Sequence, residues 1–357
     1  MSHHDHTCHS LQCILPPHMV EAIKMRGGEK MRKMVETMEK HLAEVRQERT
    51  AAMSARATFL AAPVMEAAPG AEPDQEICDG QQRSALPGRR VRTNADGPTD
   101  DDDVNRAYDA AIDTYKLYRE VYGRDSVDGN GLTLISTVHH QRNFNNAFWN
   151  GQQMAYGDGD GVLFTSLTGS LSVIGHELSH GVVEFSGGLT YRDQSGALNE
   201  SFADVFGCLV TQYKNGQSAA EADWLIGDSI LGPDINGEAL RSLRAPGLAY
   251  DDPMLGRDPQ PYHMDFYVNT QSDNGGVHLN SGIPNHAFYL LAQLIGGNAW
   301  EKAGQIWYTT MQQINNPFAT FNDWADKTVE VARDLHGSGS REAIFTRRAW
   351  RLVGIDV

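Results

Sequence analysis

Nothing in the sequence approaches the ~18 consecutive apolar residues that a membrane helix needs, although 40% of its 357 residues are hydrophobic. That absence sets the expectation of a soluble chain without a membrane partner. The first residues, Met1 to His9, contain neither a basic stretch nor an apolar one, so an export signal of the usual kind is not expected. The product should then be cytoplasmic or leave the cell by a non-classical route. Cysteine is scarce too: Cys8, Cys13, Cys78 and Cys208 are too few and too scattered for a disulfide framework and suit a reducing compartment. Basic residues are the minority, 30 against 46 acidic, for a formal charge of -16. A surface of that sign argues against a nucleic-acid partner. Glycine and proline are not in excess, the length allows two sizeable cores, and a monomer is expected.

What is present divides the chain unevenly. From Met19 to about Ala52 the pattern is helical with a break at Gly27-Gly28, and Met31, Met34, Met38, Leu42 and Val45 recur on one face. Before it, Cys13-Ile-Leu-Pro-Pro-His is held extended by its proline pair. After it, Ala61 to Glu76 is rich in alanine and proline and reads as a protease-accessible connector. The body begins near Ile77 with a turn-rich stretch to Pro98. Asp100 to Asp103 then opens a helix running through Tyr118, where a charge run is favoured by the helix dipole. Strands are expected at Gly131 to Val138 and within Asn145 to Gly161, and helices from Ser166 onward: through Val210, then Asn285 to Ile295, Ala299 to Ile314 and Phe321 to Leu335. No internal repeat is visible.

His176-Glu-Leu-Ser-His180 sits in one of these helical stretches. Residues four apart share a helix face, so both imidazoles can reach one metal ion while Glu177 is placed to work on a metal-bound water. A tetrahedral catalytic zinc takes three protein ligands and leaves one position open, so a third ligand is needed. Asn199-Glu-Ser-Phe-Ala-Asp204 offers Glu200, far enough along the chain for a turn and a return on a second helix. Asp204 lies one turn beyond it, where it can accept a hydrogen bond from a ligand histidine and fix its tautomer.

Gly175-His-Glu-Leu-Ser-His-Gly181 followed by Gly196-Ala-Leu-Asn-Glu-Ser-Phe-Ala-Asp204 resembles the thermolysin family of zinc metalloendopeptidases. Asn146-Ala-Phe-Trp-Asn150 with Tyr156-Gly-Asp-Gly-Asp-Gly161 resembles the family's substrate-binding edge strand and following turn. Asp273-Asn-Gly-Gly-Val-His-Leu-Asn-Ser-Gly282 resembles the segment of its second catalytic histidine. The match runs from about Ile77 to the C-terminus. It implies an α+β fold: a mixed α/β N-terminal domain (77–184) carrying the zinc helix, a mainly helical C-terminal domain (185–357), and the zinc helix at the cleft between them.

The resemblance also implies roles. Tyr191 and His278 would donate to the developing oxyanion, with Asp273 orienting His278. Asn199 and Asp204 would hold the zinc-binding imidazoles. Arg241 would bond the carbonyl after the scissile bond, and Asn146 and the Ala147 backbone would hold the substrate chain. Phe164, Leu167, Val173 and Leu240 would line the pocket beyond the scissile bond, and their apolar character predicts cleavage on the N-terminal side of large hydrophobic residues. The reaction expected is neutral endopeptidase hydrolysis of peptide and protein substrates, with Glu177 as general base.

Two regions depart from thermolysin itself. The positions aligned with its paired-calcium carboxylates read Ser172, Thr211, Asp223 and Asp228, so at most one weak calcium site is expected, near Asp223 and Asp228. The N-terminal region, with Leu15-Pro-Pro-His-Met and its helix, resembles the short precursors of protealysin-like enzymes. The chain is then an autoprocessed zymogen: residues 1–51 are a propeptide acting as an intramolecular inhibitor, with Pro-Pro in or near the cleft, and 52–76 a connector whose cleavage releases activity. The cluster His3, His4, His6, Cys8, His9 and Cys13 raises a further idea, that a thiolate of Cys8 or Cys13 reaches the zinc. The rival readings are a silent relative kept as a binding protein and a metallohydrolase of another substrate class. The first needs a broken base, ligand or oxyanion donor. The second fits poorly with an edge strand suited to extended peptides.

Overall fold

A computed structural model describes residues 12–56 and 72–357 of the chain. The leader cluster His3, His4, His6, Cys8 and His9 and most of the connector lie outside the described residues. Among the described residues, no helix is long and apolar enough to cross a membrane.

The N-terminal half is built on a six-stranded sheet with the order β1-β5-β6-β4-β2-β3. Its strands are β1 (Gln12–Cys13), β2 (Gln75–Asp79), β3 (Arg89–Thr93), β4 (Leu134–Val138), β5 (Ala147–Trp149) and β6 (Met154–Tyr156). The inner pairs β2–β4 and β4–β6 are parallel, the flanking pairs antiparallel. β3 falls in the stretch expected to be turn-rich, and β2 begins at Gln75, inside the expected connector. β3 reads Arg-Arg-Val-Arg-Thr with one fully buried position, so no apolar alternation marks it. Charges of this kind suit a sheet edge, where they discourage pairing with another chain.

Two helices lead from β1: α1 (Pro17–Arg26), opened by the proline pair, and α2 (Glu29–Arg56), with the break at Gly27-Gly28. The buried stripe of α2 is Val35, Met38, His41, Leu42 and Val45, while Met31 and Met34 are only half-buried. α3 (Asp102–Lys116) lies on the sheet through Val104, Ala107, Tyr108, Ala111 and Tyr115. Its N-cap is Asp101, which accepts from the Asp103 and Val104 amides at 3.0 and 3.3 Å, so the aspartate run does open a helix.

The C-terminal half is helical: α4 (Leu171–Glu184), α5 (Asp193–Asn215), α6 (Asp273–Asn280), α7 (Gly282–Ile295), α8 (Lys302–Gln313), α9 (Phe321–His336) and α10 (Arg341–Leu352). α10 was not expected. Its arginine-rich face conceals an amphipathic helix that buries Ala343, Thr346, Ala349 and Trp350, with the Trp350 ring stacked on Trp307. α6 replaces an expected loop, entered through Asn274, Gly275 and Gly276 at φ of 50°, 90° and 78°. This left-handed entry is easy for glycine and explains why the segment does not read as helix.

α4 and α5 are the centre of the molecule and are buried almost along their whole length. They approach closely because glycines face each other: a Cβ on Gly175 would sit 3.2 Å from Gly207 Cα, and one on Gly207 would sit 2.5 Å from Ser172 O. That closeness sets the distance between the histidines of α4 and the carboxylate of α5.

Candidate active site

One turn of α4 presents His176 and His180 on the same face, with their Nε2 atoms 3.0 Å apart. α5 delivers Glu200, whose carboxylate oxygens lie 3.4 Å from His180 Nε2 and 3.7 Å from His176 Nε2. All three side chains are fully buried. The outer ring nitrogens are committed elsewhere. His180 Nδ1 lies 2.9 Å from Asn199 Oδ1, and the Asn199 amide is itself oriented by donating to Leu189 O. His176 Nδ1 lies 2.8 Å from Asp204 Oδ1. Since both partners are acceptors, each imidazole carries its proton on Nδ1 and turns the Nε2 lone pair inward. Burial, and then the neighbouring His176, push the His180 pKa well down, so its ring is neutral. Glu200 Oε2 has no hydrogen-bond partner. Two imidazole lone pairs and a carboxylate converging in a dry site repel unless a cation stands between them. The donor set, two nitrogens and one oxygen, is that of a catalytic zinc. The site therefore fits the metal.

Around this set the remaining expected residues assemble. Glu177 is fully buried, and the Trp149 amide donates to its Oε2 at 3.1 Å. Burial first, and then the Glu200 charge, push its pKa well up, against the pull of Arg241 and of the Trp149 and Ile14 amides. A carboxyl so placed holds a proton more readily than an exposed one, as a general base that must later return it does. Tyr191 donates to Glu200, and its Oη stands 3.2 Å from His278 Nε2. His278 is held by Asp273 at two points, Nδ1 to Oδ1 at 2.6 Å and backbone N–H to Oδ2 at 2.8 Å. Burial works to lower the His278 pKa, but the Glu200 and Asp273 carboxylates outweigh it and raise it to about 9.

Arg241 and Asp204 form a buried pair, with Arg241 Nε and Nη2 donating to the carboxylate at 2.8 to 3.0 Å. Burial alone would raise the Asp204 pKa, yet Arg241 and His176 hold it well below the usual carboxylate range. Phe164, Leu167, Val173 and Leu240 are all buried, Val173 one turn before His176 and Leu240 next to Arg241.

The cleft contains the chain's own N-terminal segment. β1 pairs antiparallel with β5, Cys13 opposite Phe148. Leu15 N–H donates to Asn146 Oδ1 at 3.1 Å, and Arg241 Nη1 donates to Ile14 O at 3.1 Å. Cys13 brings its carbonyl to the site, 3.1 Å from His278 Nε2. Among the described residues, the buried group whose ligand atoms converge within 4.8 Å is His176, His180 and Glu200, without the Cys13 thiol. The residues compared with calcium ligands have local partners: Ser172 Oγ accepts from Gly227 N–H, Thr211 Oγ1 donates to Gly207 O, Asp223 accepts from Leu225 N–H and Asp228 accepts from Ser170 and Ser229.

Several contributors were not legible beforehand. Asn285 donates to Asp204 Oδ2 at 2.8 Å from the buried face of α7. A lone polar residue on an apolar face was the available signal. Gln260 donates to His278 O at 2.7 Å, and Glu184 accepts from the Trp149 indole at 3.0 Å. Nothing in their local sequence marks either.

Models of two families of domains match the chain: the catalytic domain of thermolysin metallopeptidases over residues 72–184 and their alpha-helical domain over 187–355. An extracellular metalloprotease of Pectobacterium carotovorum is 47% identical over 293 residues, covering 82% of this chain and 84% of that protein. Protease PrtS of a Photorhabdus strain is 49% identical over 288 residues, covering 79% and 76%. Thermolysin of Alicyclobacillus acidocaldarius is 41% identical, covering 78% of this chain but 50% of its own length. Among solved structures, the precursor of protealysin, a metalloproteinase from Serratia proteamaculans, superposes with a TM-score of 0.85 at 42% identity, covering 96% of this chain and 99% of that one.

Proposed function

The chain belongs to the thermolysin family of metallopeptidases and is a metalloendopeptidase; from that premise we propose that it is a zinc enzyme cutting peptides before large hydrophobic residues, made as a self-processing zymogen. The observation that carries the reading is the meeting of three inward-facing ligand atoms, on His176, His180 and Glu200, with a buried base on one side and a Tyr191–His278 pair on the other.

His176, His180 and Glu200 would hold the zinc, which would supply Lewis acidity at this point of the cleft. Every other part falls to the chain. Glu177 takes the proton of the attacking water and returns it to the leaving amine. Tyr191 and His278 donate to the oxygen on which negative charge develops, and Asp273 keeps His278 oriented and charged. Asn199 and Asp204 fix the ligand tautomers. Arg241 holds the carbonyl after the bond, while Asn146 and Ala147 O hold the extended backbone, as they hold residues 14 and 15 here. Phe164, Leu167, Val173 and Leu240 supply an apolar pocket in which an unpaired charge would be strongly disfavoured.

In this reading residues 1–51 are an inhibitory propeptide, 52–76 the connector cut on maturation, and 77–184 and 185–357 the two catalytic domains. Support comes from the seating of β1, Ile14 and Leu15 on the substrate-binding groups and from the protealysin precursor's near-complete coverage. At most one weak calcium site belongs to this reading, near Asp223 and Asp228. An extracellular place of action is favoured by the Pectobacterium relative.

The test is intact mass against time for zinc-loaded precursor, wild type beside Glu177→Ala, with a leucine-containing peptide as external substrate. Wild type should shed its N-terminal region and then cut the peptide before leucine. Glu177→Ala should lose at least about a thousandfold in peptide turnover (~4 kcal/mol in the barrier). Equal turnover by both would remove Glu177 as the base.

A further inference from the structure

The oxyanion donor of this site and its substrate-holding groups face consecutive backbone groups of the chain itself. The Cys13 carbonyl accepts from His278 Nε2 at 3.1 Å. Across the same peptide unit, the Ile14 N–H donates to Ala147 O at 3.2 Å. The next carbonyl, that of Ile14, accepts from Arg241 Nη1, and the next amide, that of Leu15, donates to Asn146 Oδ1. In hydrolysis the oxyanion donor faces the carbonyl under attack, and the proton-delivering base faces the nitrogen that leaves. At Cys13–Ile14 the donor stands on the carbonyl, and the contacts to Ala147, Arg241 and Asn146 place Ile14 on the leaving side. The N-terminal segment therefore runs through the cleft in the direction of a substrate, with buried, apolar Ile14 immediately after the reacting position.

We propose that Cys13–Ile14 is itself a substrate bond, which the precursor hydrolyses in cis before the connector is cut. The inference rests on the peptidase reading above and adds a specific bond to it. Water oxygen bonds to the Cys13 carbonyl carbon and Glu177 takes a water proton. The C–N bond then breaks and the proton passes to the Ile14 nitrogen, leaving a peptide that ends in a Cys13 carboxylate and a chain that begins with an Ile14 amine.

The two products have different fates. Among the described residues, the released side carries the two residues of β1 paired with β5 and the Cys13 carbonyl on His278. The retained side is anchored by Arg241 on Ile14, by His18 Nε2 on Tyr250 Oη at 2.9 Å and by His41 Nε2 on His140 Nε2 at 2.8 Å. The first cut thus leaves Ile14 onward seated as a bound product. The enzyme stays latent until α1 and α2 depart.

The experiment uses full-length, zinc-loaded precursor at several concentrations, read by intact mass and N-terminal sequencing. A species beginning at Ile14 should form in wild type, at a rate independent of protein concentration, and not in Glu177→Ala. Ile14→Asp should slow its formation at least tenfold. Independently of turnover, the Ile14 and Leu15 amides of the Glu177→Ala precursor should exchange with deuterium on the order of a hundredfold slower than in an unstructured chain. Fast exchange at both overturns the register. A rate rising in proportion to concentration overturns cleavage in cis. If the matured protein cuts an external peptide but no Ile14 start ever forms, this proposal falls and the peptidase reading stands. If the zinc-loaded protein does neither, both fall.

Discussion

Asp204 ties three separate elements to the site. Its carboxylate meets His176 Nδ1, the Arg241 guanidinium and the Asn285 amide, all away from solvent. Two buried opposite charges are tolerable because each satisfies the other. Removing one leaves the partner unpaired in a low-dielectric interior. Arg241→Met, introduced into Glu177→Ala to prevent self-cutting, should therefore cost about 3–5 kcal/mol in urea unfolding, and Asp204→Leu added to it should recover part of that loss. A single variant that costs under ~1 kcal/mol would mean the pair is solvated and contributes nothing to the core. The sequence pointed to Asp204 as a partner of a ligand histidine and to Arg241 as a substrate contact. It did not show that the two are a pair, because 37 residues and a change of element separate them.

The histidines of the propeptide helices act at the scale of the element. His41 interrupts the apolar stripe of α2 and meets His140 between the rings of Phe144 and Phe148. Burial, and then the neighbouring His41, lower the His140 pKa to about 3. On α1, burial and then His278 lower that of His18 to about 4. Both rings are neutral while docked and return toward 6.5 when freed. The undocked state therefore binds protons more readily. Docking is at full strength above pH 6.5 and weakens as pH falls toward 4 and 3, by about 2 kcal/mol per ring at pH 5. In the Glu177→Ala precursor, deuterium uptake in α2 should rise between pH 7 and 5, after correction for intrinsic exchange. His41→Leu should blunt the rise. An α2 equally protected at both values would show that the pair takes up its proton without releasing the helix. α2 itself was legible from its periodicity and its Gly27-Gly28 break. β3 and α10 were not, because arginine-rich edges and faces hide the apolar period that marks an element.

At the scale of the whole molecule, the sheet-bearing half and the helical half meet at α4 and α5, and the facing ligand atoms sit where they meet. A metal bound only by the folded chain stabilises it in proportion to the logarithm of its concentration over Kd, about 4 kcal/mol at a thousandfold excess. Chelation of the Glu177→Ala precursor should lower its unfolding temperature by on the order of 10 °C, and zinc should restore it. A midpoint indifferent to both treatments would mean that the three residues hold no metal in the fold.

What the sequence determined by itself was local and ordered. The spacing in His176-Glu-Leu-Ser-His180 places two imidazoles on one helix face, and the turn-length step from Glu200 to Asp204 does the same on the next helix. The apolar periods call for the helices that carry them. These depend on residues within one or two turns, and backbone geometry alone converts them into structure. Tertiary structure decided everything that depends on two distant segments meeting. It set the approach of α5 to α4 across Gly175 and Gly207, the pairing of Arg241 with Asp204, and the seating of Cys13 and Ile14 against His278, Ala147 and Arg241. Such contacts are fixed by packing density and by the need to satisfy buried charge, and neither leaves a trace in the spacing of residues along the chain.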